Sequence, residues 1–339
     1  MNKLVTIIQE DALKILPKID FRELHGKTLI LTGASGLIGT YFLATLRELS
    51  AQKIKVNVVA VVQNKFPEYL SYFGEGVTFI RCDLTNASCL SKLPKADYII
   101  HAAGYGQPGK FMENPLKTIT LNTTCTVALF NQLNKGGKFL FLSTSEVYSG
   151  LPNPPYREEE IGTTNTTHPR ACYIEAKRCG EAIVNAERTR GANAKSARLS
   201  LAYGPGTKPN DQRVLNAFIQ KALAGKLELL DRGKAKRTYC YVRDAVEILF
   251  RILLEGKEPV YNVGGNTNTT IAKLAEMIGK SLEVPVIFPK VSKRDAAAPS
   301  DVRLDMTKVE NEFGKTEYVP LDEGLTHTIE WQKLLYAHA

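Results

Sequence analysis

Features that mark secreted, membrane-spanning and metal-binding proteins are missing from this chain. Its apolar runs, such as VVAVV and FLFLS, are of strand length, whereas a bilayer needs about 20 consecutive apolar residues. The six cysteines are scattered, without a CxxC pair or a nearby histidine, so we expect reduced, mostly buried thiols and no metal site. The opening stretch, MNKLVTIIQEDALKILPKID, contains acids and no small-residue cleavage site, which predicts a helix and no signal peptide. We therefore expect cytoplasmic localisation.

Repeats, low-complexity tracts and recognisable nucleic-acid modules are missing as well. The chain has a formal net charge of +9 at pH 7, but its lysines and arginines are dispersed along the sequence. A basic surface of this kind suits an anionic small substrate as well as it suits a nucleic acid. We therefore expect a small-molecule substrate, with neither a nucleic-acid nor a membrane partner.

From residue 27 onward, short apolar segments alternate with amphipathic ones. The strand-like segments are KTLILTG, KVNVVAVV, GVTFIRCD, ADYIIHAAG, KFLFLSTS and SARLSLAYG, and helical ones include LIGTYFLATLREL, PLKTITLNTTCTVALFNQL and YIEAKRCGEAIVNAERTR. Strands that are nearly all apolar are covered on both faces. Strict alternation of strand and helix therefore predicts an α/β fold of the Rossmann type, with a doubly wound parallel sheet.

The first strand runs into TGASGLIG, where Gly33, Gly36 and Gly39 precede a helix. Glycines at this spacing allow a tight turn, let the backbone approach a pyrophosphate and leave its charge on a helix N-terminus. A tight strand-to-helix turn needs glycine for steric reasons too, but the strand-turn-helix context favours a dinucleotide site.

The ends of the next strands supply further candidates. In NAD sites the second strand often ends in an acid that binds the adenosine ribose, and here Gln63 and Asn64 stand in its place, which leaves NADP open beside NAD. Asp83 ends the third strand and is placed to accept from the adenine amino group, or serves as a turn-forming residue. HAAG, over 101–104, puts small residues where backbone must lie close to a cofactor.

The regular alternation of strand-like and helical segments ends at about residue 204. Loops, short strands such as ELLDRG and RTYCYV, and the helices DAVEILFRILLEG, IAKLAEMIGKSLE and LDEGLTHTIEWQKLL follow. We predict three parts: an N-terminal extension over 1–25, a NAD-binding Rossmann domain over 26–204, and a smaller mixed substrate-binding lobe over 205–339, with some exchange of chain between the lobes. The extension is expected to pack as a helix on the sheet or on a neighbouring subunit.

Catalytic candidates are concentrated in two stretches. Tyr173 and Lys177 lie four residues apart on a predicted helix and hence on one face. A lysine ammonium there, helped by the positive charge of a nicotinamide, favours tyrosinate, which makes a phenol a usable base. About 30 residues upstream, the apolar run KFLFL ends in the hydroxyl-rich segment STSEVYS.

Together these features make the chain resemble the extended short-chain dehydrogenase/reductase family over about residues 26–335. Further matching stretches are ENPLKTITLNTTCT, RLSLAYGPG and RTYCYVRDAV. The resemblance implies a nucleotide-linked sugar as substrate, a tightly held NAD and a homodimer. It completes a set of candidate cofactor-binding residues: Gly33, Ser35, Gly36, Leu37, Ile38, Gly39, Gln63, Asn64, Asp83, Leu84, Ala102, Ala103, Gly104, Asn122, Tyr173 and Lys177.

Within that family the residues after the fifth strand divide the chemistries. By resemblance, Thr144 hydrogen-bonds the sugar 4-hydroxyl, and Ser145 and Glu146 occupy the positions that dTDP-glucose-type 4,6-dehydratases fill with Asp and Glu. Ser145 is no proton donor for expelling the C6 hydroxyl, which weakens that assignment. Simple 4-epimerases generally lack the glutamate. The run STSEVY is shared by UDP-glucuronate decarboxylases and GDP-mannose 4,6-dehydratases.

The helix sequence PRACYIEAKRCGEA resembles the decarboxylase group of that family. The resemblance implies that Tyr173 removes the 4-hydroxyl proton while hydride leaves C4 for NAD, that the resulting β-keto acid loses carbon dioxide, and that C4 is then reduced again. Glu146 would orient a proton-donating water or the ring, or hold the hydroxyl network. Open alternatives are a 4-epimerase, a GDP-mannose-type 4,6-dehydratase and, from another class, a non-catalytic NAD-binding regulator.

Four arginines are candidates for the anionic substrate: Arg178, Arg213, Arg237 and Arg303. The fork of donors of arginine fits phosphate, although a surface salt bridge is the other interpretation of such a residue. Leu201 stands where the family frequently has an asparagine that contacts the diphosphate. Diphosphate contacts are therefore expected to differ from the family pattern.

Overall fold

The computed structural model of the chain describes residues 3–64, 66–209, 211–290 and 301–337. Its helices are α1 Lys3–Ile15, α2 Leu37–Glu48, α3 Glu68–Tyr72, α4 Ala87–Leu90, α5 Pro108–Glu113, α6 Pro115–Asn122, α7 Thr124–Phe130, α8 Ala171–Thr189, α9 Val214–Leu223, α10 Val242–Leu254, α11 Ile271–Leu282, α12 Thr307–Phe313 and α13 Leu321–Ala337. Its strands are β1 Thr28–Thr32, β2 Asn57–Val62, β3 Thr78–Arg81, β4 Ala96–His101, β5 Leu133–Thr144, β6 Asn193–Leu199, β7 Leu201–Tyr203, β8 Leu227–Glu228, β9 Lys236–Arg237, β10 Tyr239–Tyr241, β11 Val260–Val263, β12 Thr269–Thr270, β13 Val286–Ile287 and β14 Asp301–Val302.

The predicted Rossmann-type α/β fold is confirmed. Seven strands form one parallel sheet in the order β11-β6-β5-β4-β1-β2-β3. The chain leaves β1 toward one edge of the sheet and returns at β4 toward the other, so the carboxyl ends of β1 and β4 form a switch point. Ligands of doubly wound sheets bind at such a crevice.

The seventh strand, β11, is absent from the predicted strand set. It has four residues, VYNV, and lies in the part of the chain assigned to the smaller lobe. It pairs in parallel with β6, with Tyr261 opposite Ala197. The chain therefore returns to the main sheet after residue 205, and α12 packs beside this strand.

Two predicted elements are each divided in the structure. SARLSLAYG forms β6 and β7, because Ser200 lies between them and its backbone N–H donates to Val263 of β11, after which β7 pairs with β10 in a separate two-stranded sheet. The single helix predicted over 115–133 is α6 and α7, separated at Thr123, whose backbone angles (φ −115°, ψ −81°) are not helical.

The segment predicted to form a smaller lobe contributes to a second apolar core. The buried residues of α9, α11 and α13 pack there with those of β7, β8 and β10. The short strands form a three-stranded sheet, β12-β9-β14, and a two-stranded one, β13-β8. Arg237 of β9 faces the main sheet across a cleft, so the small strands place side chains over the carboxyl ends of the large ones.

The N-terminal helix α1 packs against α2 and α13 through apolar residues such as Ile8 and Ala12. Its Asp11 is buried and accepts hydrogen bonds from the hydroxyls of Tyr41 and Tyr241, at 3.1 and 2.7 Å. Burial raises the pKa of Asp11, and these bonds oppose the rise. The extension is thus joined to both parts of the chain by a buried polar contact.

Two cysteines differ from the expectation of reduced thiols. Cys82 and Cys89 form a disulfide, with Cα atoms 5.8 Å apart, since the turn after β3 brings α4 back beside the strand end. Of the other four, Cys125 and Cys240 are buried, while Cys179 is exposed. Within the described residues, no helix is long and apolar enough to cross a membrane.

Candidate active site

A cavity of about 1380 Å³ follows the carboxyl edge of the main sheet and extends beneath the smaller lobe. Twenty predicted site residues line it: Gly33, Ser35, Gly36, Leu37, Ile38, Gly39, Gln63, Asn64, Asp83, Leu84, Ala102, Ala103, Gly104, Thr144, Ser145, Glu146, Tyr173, Lys177, Arg213 and Arg237. The cavity has two ends, one at the glycine loop after β1 and one between β5, α8 and β9.

The glycine loop is shaped by close backbone packing. Gly33 has φ +70°, and a Cβ there would lie 2.6 Å from the carbonyl oxygen of Ala102. A Cβ on Gly39 would clash with the carbonyl oxygen of Gly33. Gly36 differs, because the Gly33 carbonyl oxygen, at 3.2 Å, is the one atom that a Cβ there would meet within 4 Å. Gly33 and Gly39 are thus required by the fold, whereas Gly36 keeps the cavity open.

The N-terminus of α2 faces this end of the cavity. Gly36 is its N-cap and provides no side-chain hydrogen bond, so the first N–H groups of the helix, on Leu37, Ile38 and Gly39, have no cap. Uncapped N–H groups and the helix dipole together attract a phosphate. The residues present therefore fit the pyrophosphate of a dinucleotide.

Gln63 and Asp83 meet at the ends of β2 and β3. The Gln63 amide donates to Asp83 at 3.4 Å, and Lys117 lies 3.5 Å from the same carboxylate oxygen. The other oxygen of Asp83 accepts from the backbone N–H and hydroxyl of Thr85, at 3.0 and 2.7 Å. These bonds hold the pKa of Asp83 below its usual value, the Thr85 hydroxyl most strongly. Asp83 thus makes the turn contact and also lines the cavity.

At the other end, Tyr173 and Lys177 lie one turn apart on α8, as predicted from their spacing. The ring of Phe111 stacks on that of Tyr173, with centroids 4.4 Å apart and planes within 3°. The Lys177 ammonium donates to the Leu142 carbonyl at 2.5 Å and lies 5.9 Å from the Tyr173 ring centroid. The phenol is therefore held between the end of β5 and helix α5.

The protein groups alone do not activate Tyr173. Burial raises its pKa to about 12, although a hydrogen bond from the Thr144 hydroxyl lowers it. Burial also lowers the pKa of Lys177 to about 7, with Glu181 opposing that change. The charge of a nicotinamide bound beside Tyr173, predicted together with that of Lys177, would favour tyrosinate near neutral pH.

Glu146 is held by an arginine that was not among the predicted site residues. Arg170 donates to both carboxylate oxygens of Glu146 through Nη1, at 2.7 and 2.9 Å, and its guanidinium lies 5.8 Å above the Phe111 ring. Burial raises the pKa of Glu146, and the charges of Arg170 and Arg237 oppose that rise. The sequence signal for Arg170 was its position three residues before Tyr173; nothing in the sequence singled out Phe111.

Two of the four predicted arginines line the cavity. Arg213 precedes α9 and pairs with the buried Asp211 at 2.7 Å. Arg237 donates to the Lys236 carbonyl, and within the described residues no carboxylate forms a salt bridge with it. Burial lowers the pKa of Arg237, as expected for a cation without a close counter-ion. This guanidinium is the better placed of the two to accept an anionic ligand.

Three other predicted residues, Arg178, Arg303 and Asn122, do not line the cavity. Arg178 donates to the Val147 carbonyl and pairs with Glu175, because its side chain lies along the turn after β5. Arg303 pairs with Asp301 at 3.0 Å. Asn122 is fully buried and donates to the Thr118 carbonyl within α6. Each of these three side chains has a partner inside the protein, although the amide oxygen of Asn122 has none, and their contacts with a ligand remain predictions.

Comparison with known proteins identifies relatives of this chain in sequence and in structure. Residues 29–264 match the sequence profile described as the NAD dependent epimerase/dehydratase family. The chain is 31% identical to UDP-glucuronic acid decarboxylase 5 of Arabidopsis thaliana, over 88% of this chain and 86% of that protein. It is 30% identical to UDP-glucuronic acid decarboxylase 1 of Danio rerio, over 93% of this chain and 75% of that protein.

A solved structure shares the fold. The epimerase Mth375 of Methanothermobacter thermautotrophicus superposes with a TM-score of 0.80 at 22% identity, and the match covers 98% of this chain and 97% of that one. The profile match spans the glycine loop, the Thr144–Tyr173–Lys177 group and β11. The chain belongs to the NAD-dependent epimerase/dehydratase family.

Proposed function

We propose that this protein is a NAD-dependent UDP-glucuronate decarboxylase that oxidises the sugar at C4, releases the C5 carboxylate as carbon dioxide and reduces C4 again. The observation that carries the proposal is Glu146, fixed by Arg170 beside Thr144 and Tyr173, with a serine and not a second acid at position 145. Relatives about 30% identical to this chain bear the name UDP-glucuronic acid decarboxylase, which supports the choice of substrate.

The cofactor site is assigned to the glycine loop and the ends of β2, β3 and β4. The N–H groups that open α2 would hold the pyrophosphate, and Gln63, Asn64 and Asp83 would face the adenosine end. Bound NAD supplies a reversible hydride acceptor. The absence of an acid at the end of β2 keeps NADP as a second cofactor to be tested.

Tyr173 is the proposed base. Phe111 stacks on its ring, and its phenol oxygen accepts a hydrogen bond from the Thr144 hydroxyl. A sugar 4-hydroxyl that enters from the cavity would therefore contact the oxygens of both Tyr173 and Thr144. Removal of the 4-hydroxyl proton by Tyr173 accompanies oxidation at C4. The resulting ketone lies β to the carboxylate, and the electrons of the breaking C–C bond flow into the ketone oxygen as carbon dioxide leaves. Thr144 and Tyr173 then stabilise the enolate oxygen until C5 is reprotonated.

Glu146 is proposed to orient a proton-donating water or the sugar ring. Its ion pair with Arg170 favours the charged form of the carboxylate against the effect of burial, and a carboxylate at a fixed position can order a hydroxyl or a water. Ser145 lacks the acidity needed to protonate a departing C6 hydroxyl, so 4,6-dehydration has no acid at that position. Arg237, which lacks a carboxylate partner among the described residues, is the proposed contact for the anionic part of the substrate.

Turnover of candidate substrates tests this assignment. The purified chain is incubated separately with UDP-glucuronate, UDP-glucose and GDP-mannose, and carbon dioxide and sugar products are measured. Carbon dioxide and a UDP-pentose from UDP-glucuronate are expected. UDP-galacturonate as the product would instead assign a 4-epimerase, and a 4-keto-6-deoxy sugar from GDP-mannose a dehydratase. Bound NAD without turnover of any of the three would assign a regulator.

The homodimer remains a proposal, supported by exposed apolar residues on α6 and α7. Leu116, Ile119 and Val127 are 77%, 40% and 48% exposed, and α6 packs beside α8, which presents Cys179 to solvent. Leu116→Asp would break a dimer formed by this face, measured by sedimentation, whereas Leu230→Asp, an equally exposed apolar position near the cavity, would not.

The three-part division at residues 25 and 204 and the cytoplasmic localisation also remain proposals. The separate apolar core around α9, α11 and α13 supports the smaller lobe. The return of β11 to the main sheet supports the exchange of chain between the lobes.

A further inference from the structure

A lysine of the smaller lobe reaches the glycine loop from across the cavity. Lys208 follows β7 in the segment GPGTK, and its ammonium lies 3.4 Å from the Ser35 hydroxyl. Ser35 directly precedes Gly36, the N-cap of α2, and both lysine and serine line the cavity. Lys208 is 173 residues away from Ser35 in sequence, so no local motif predicts this contact.

The backbone that carries Lys208 is held at three points. Trp331 of α13 donates its indole N–H to the Thr207 carbonyl at 2.9 Å, and the Tyr69 hydroxyl of α3 donates to the Gly206 carbonyl at 3.3 Å. Gly206 has φ +93°, and a Cβ there would lie 3.3 Å from a methyl carbon of Leu37, at the start of α2. The segment therefore packs directly on the helix whose N-terminus faces the cavity.

The charge of Lys208 has no protein counter-ion. Within the described parts of the chain, Ser35 is the hydrogen-bond partner of its ammonium, and no carboxylate forms a salt bridge with it. Lys208 is exposed at the mouth of the cavity, and partial desolvation, followed by the positive charge of Lys110, lowers its pKa. Two lysines that face one cavity beside uncapped helical N–H groups form a site for an anion of more than one charge.

We propose that Lys208 is a phosphate-binding residue of the cofactor site, supplied by the smaller lobe to the dinucleotide bound at the glycine loop. The phosphate has two possible sources with the same chemistry: the pyrophosphate of NAD, or the 2′-phosphate of NADP, which no acid at the end of β2 repels. The proposal rests on the cofactor site and is independent of which sugar is the substrate, so its failure and that of the decarboxylase assignment are distinguishable.

Binding measurements on the full chain test this proposal. Dissociation constants for NAD, NADP and adenosine are measured by isothermal titration calorimetry. Lys208→Ala is expected to weaken NAD binding about tenfold, equivalent to about 1.4 kcal/mol, while Lys208→Arg stays within about twofold of the unaltered protein. Lys280→Ala, an exposed lysine on α11 that does not line the cavity, is the matched control.

The three ligands distinguish between the two possible sources of the phosphate, the pyrophosphate and the 2′-phosphate. Equal losses for NAD and NADP assign the pyrophosphate, whereas a loss confined to NADP assigns the 2′-phosphate, and adenosine should bind Lys208→Ala as it binds the unaltered protein. NAD and NADP affinities that Lys208→Ala leaves unchanged would overturn the proposal. So would an equal loss of adenosine affinity, because that would mean a disturbed site and not a lost phosphate contact.

Discussion

The cofactor end of the cavity is formed mainly by backbone groups of the glycine loop, whereas the sugar end is formed by side chains from several elements. At the glycine loop, one contiguous segment presents backbone N–H groups, and the packing of Gly33 and Gly39 fixes its path. At the sugar end, side chains from β5, α5, α8 and β9 come together through an ion pair and an aromatic stack. The path of the glycine loop depends on the absence of side chains at Gly33 and Gly39, whereas the sugar end depends on the identity of its side chains. Substitutions should therefore affect binding at one end and chemistry at the other.

The largest expected effect is at the sugar end. Tyr173→Phe removes the proposed base and keeps the ring that Phe111 stacks on, so turnover should fall by about 10³-fold or more while NAD affinity changes little. Steady-state kinetics and a cofactor titration measure both. Tyr72→Phe, which alters a tyrosine outside the cavity, is the control and should leave both unchanged. Residual turnover above a tenth of the original would remove Tyr173 from its role.

The next largest effect should distinguish Arg237 from Arg178, two arginines that the sequence predicts to have the same role. Arg237→Ala removes a partly buried cation from the cavity and should reduce kcat/KM by about 10- to 100-fold. Arg178→Ala removes a side chain bonded to the Val147 carbonyl and Glu175, outside the cavity, so KM should remain unchanged even if stability falls. Equal effects of the two substitutions on KM would contradict the different positions assigned to them.

The ion pair at the sugar end has a pH signature. Because the charge of Arg170 lowers the pKa of Glu146 against the rise caused by burial, Arg170→Gln should raise that pKa further. If Glu146 acts as the carboxylate, the acidic limb of the kcat/KM profile should move to higher pH, and turnover at pH 6 should fall several-fold more than at pH 8. Arg170→Lys should restore part of the shift. A pH profile of unchanged shape would mean that turnover does not depend on the ionisation of Glu146.

At the glycine loop, two alanine substitutions should have opposite consequences. Gly33→Ala places a Cβ 2.6 Å from the Ala102 carbonyl in a residue with φ +70°, so it should reduce the free energy of unfolding by about 2 kcal/mol or more. Gly36→Ala has φ −84° and an open cavity beside it, so it should weaken NAD about tenfold with little loss of stability. Thermal unfolding and NAD titration of both variants measure this difference. An equal loss of stability in the two variants would contradict it.

The smallest expected effect concerns stability and pH. Burial lowers the pKa of Lys177 in the folded chain to about 7, below its unfolded value of 10.5, so the folded state binds fewer protons over this interval and stability should rise as pH increases from 7 to 10. Lys177→Met removes the buried ammonium and should flatten that rise, with a gain in the free energy of unfolding at pH 7 that becomes smaller toward pH 10. Equal pH slopes for the two proteins in urea unfolding would contradict the assigned pKa.

Local patterns account for what the sequence predicts correctly. The strands β1 to β6 are predicted from short apolar runs, and β1 to β5 are each followed by a helix. The glycine loop and the Tyr173–Lys177 pair are defined by spacing over a few residues. What the sequence leaves out depends on distant partners. β11 has four residues and becomes a strand because β6 offers a free edge, and Ser200 divides SARLSLAYG because its neighbours belong to two sheets. Arg170 becomes a site residue because Glu146 lies beside it, 24 residues upstream.

The most direct test of the central claim follows the hydrogen at C4. UDP-glucuronate carrying deuterium at C4 is converted by the full chain with its cofactor, and the UDP-pentose is examined by mass spectrometry and NMR. If Tyr173 starts a reversible oxidation whose ketone permits decarboxylation, the product should keep its deuterium at C4, gain a solvent hydrogen at C5 and appear in equal amount with carbon dioxide. Loss of the C4 deuterium to solvent, or carbon dioxide released from a substrate that cannot be oxidised at C4, would contradict the account.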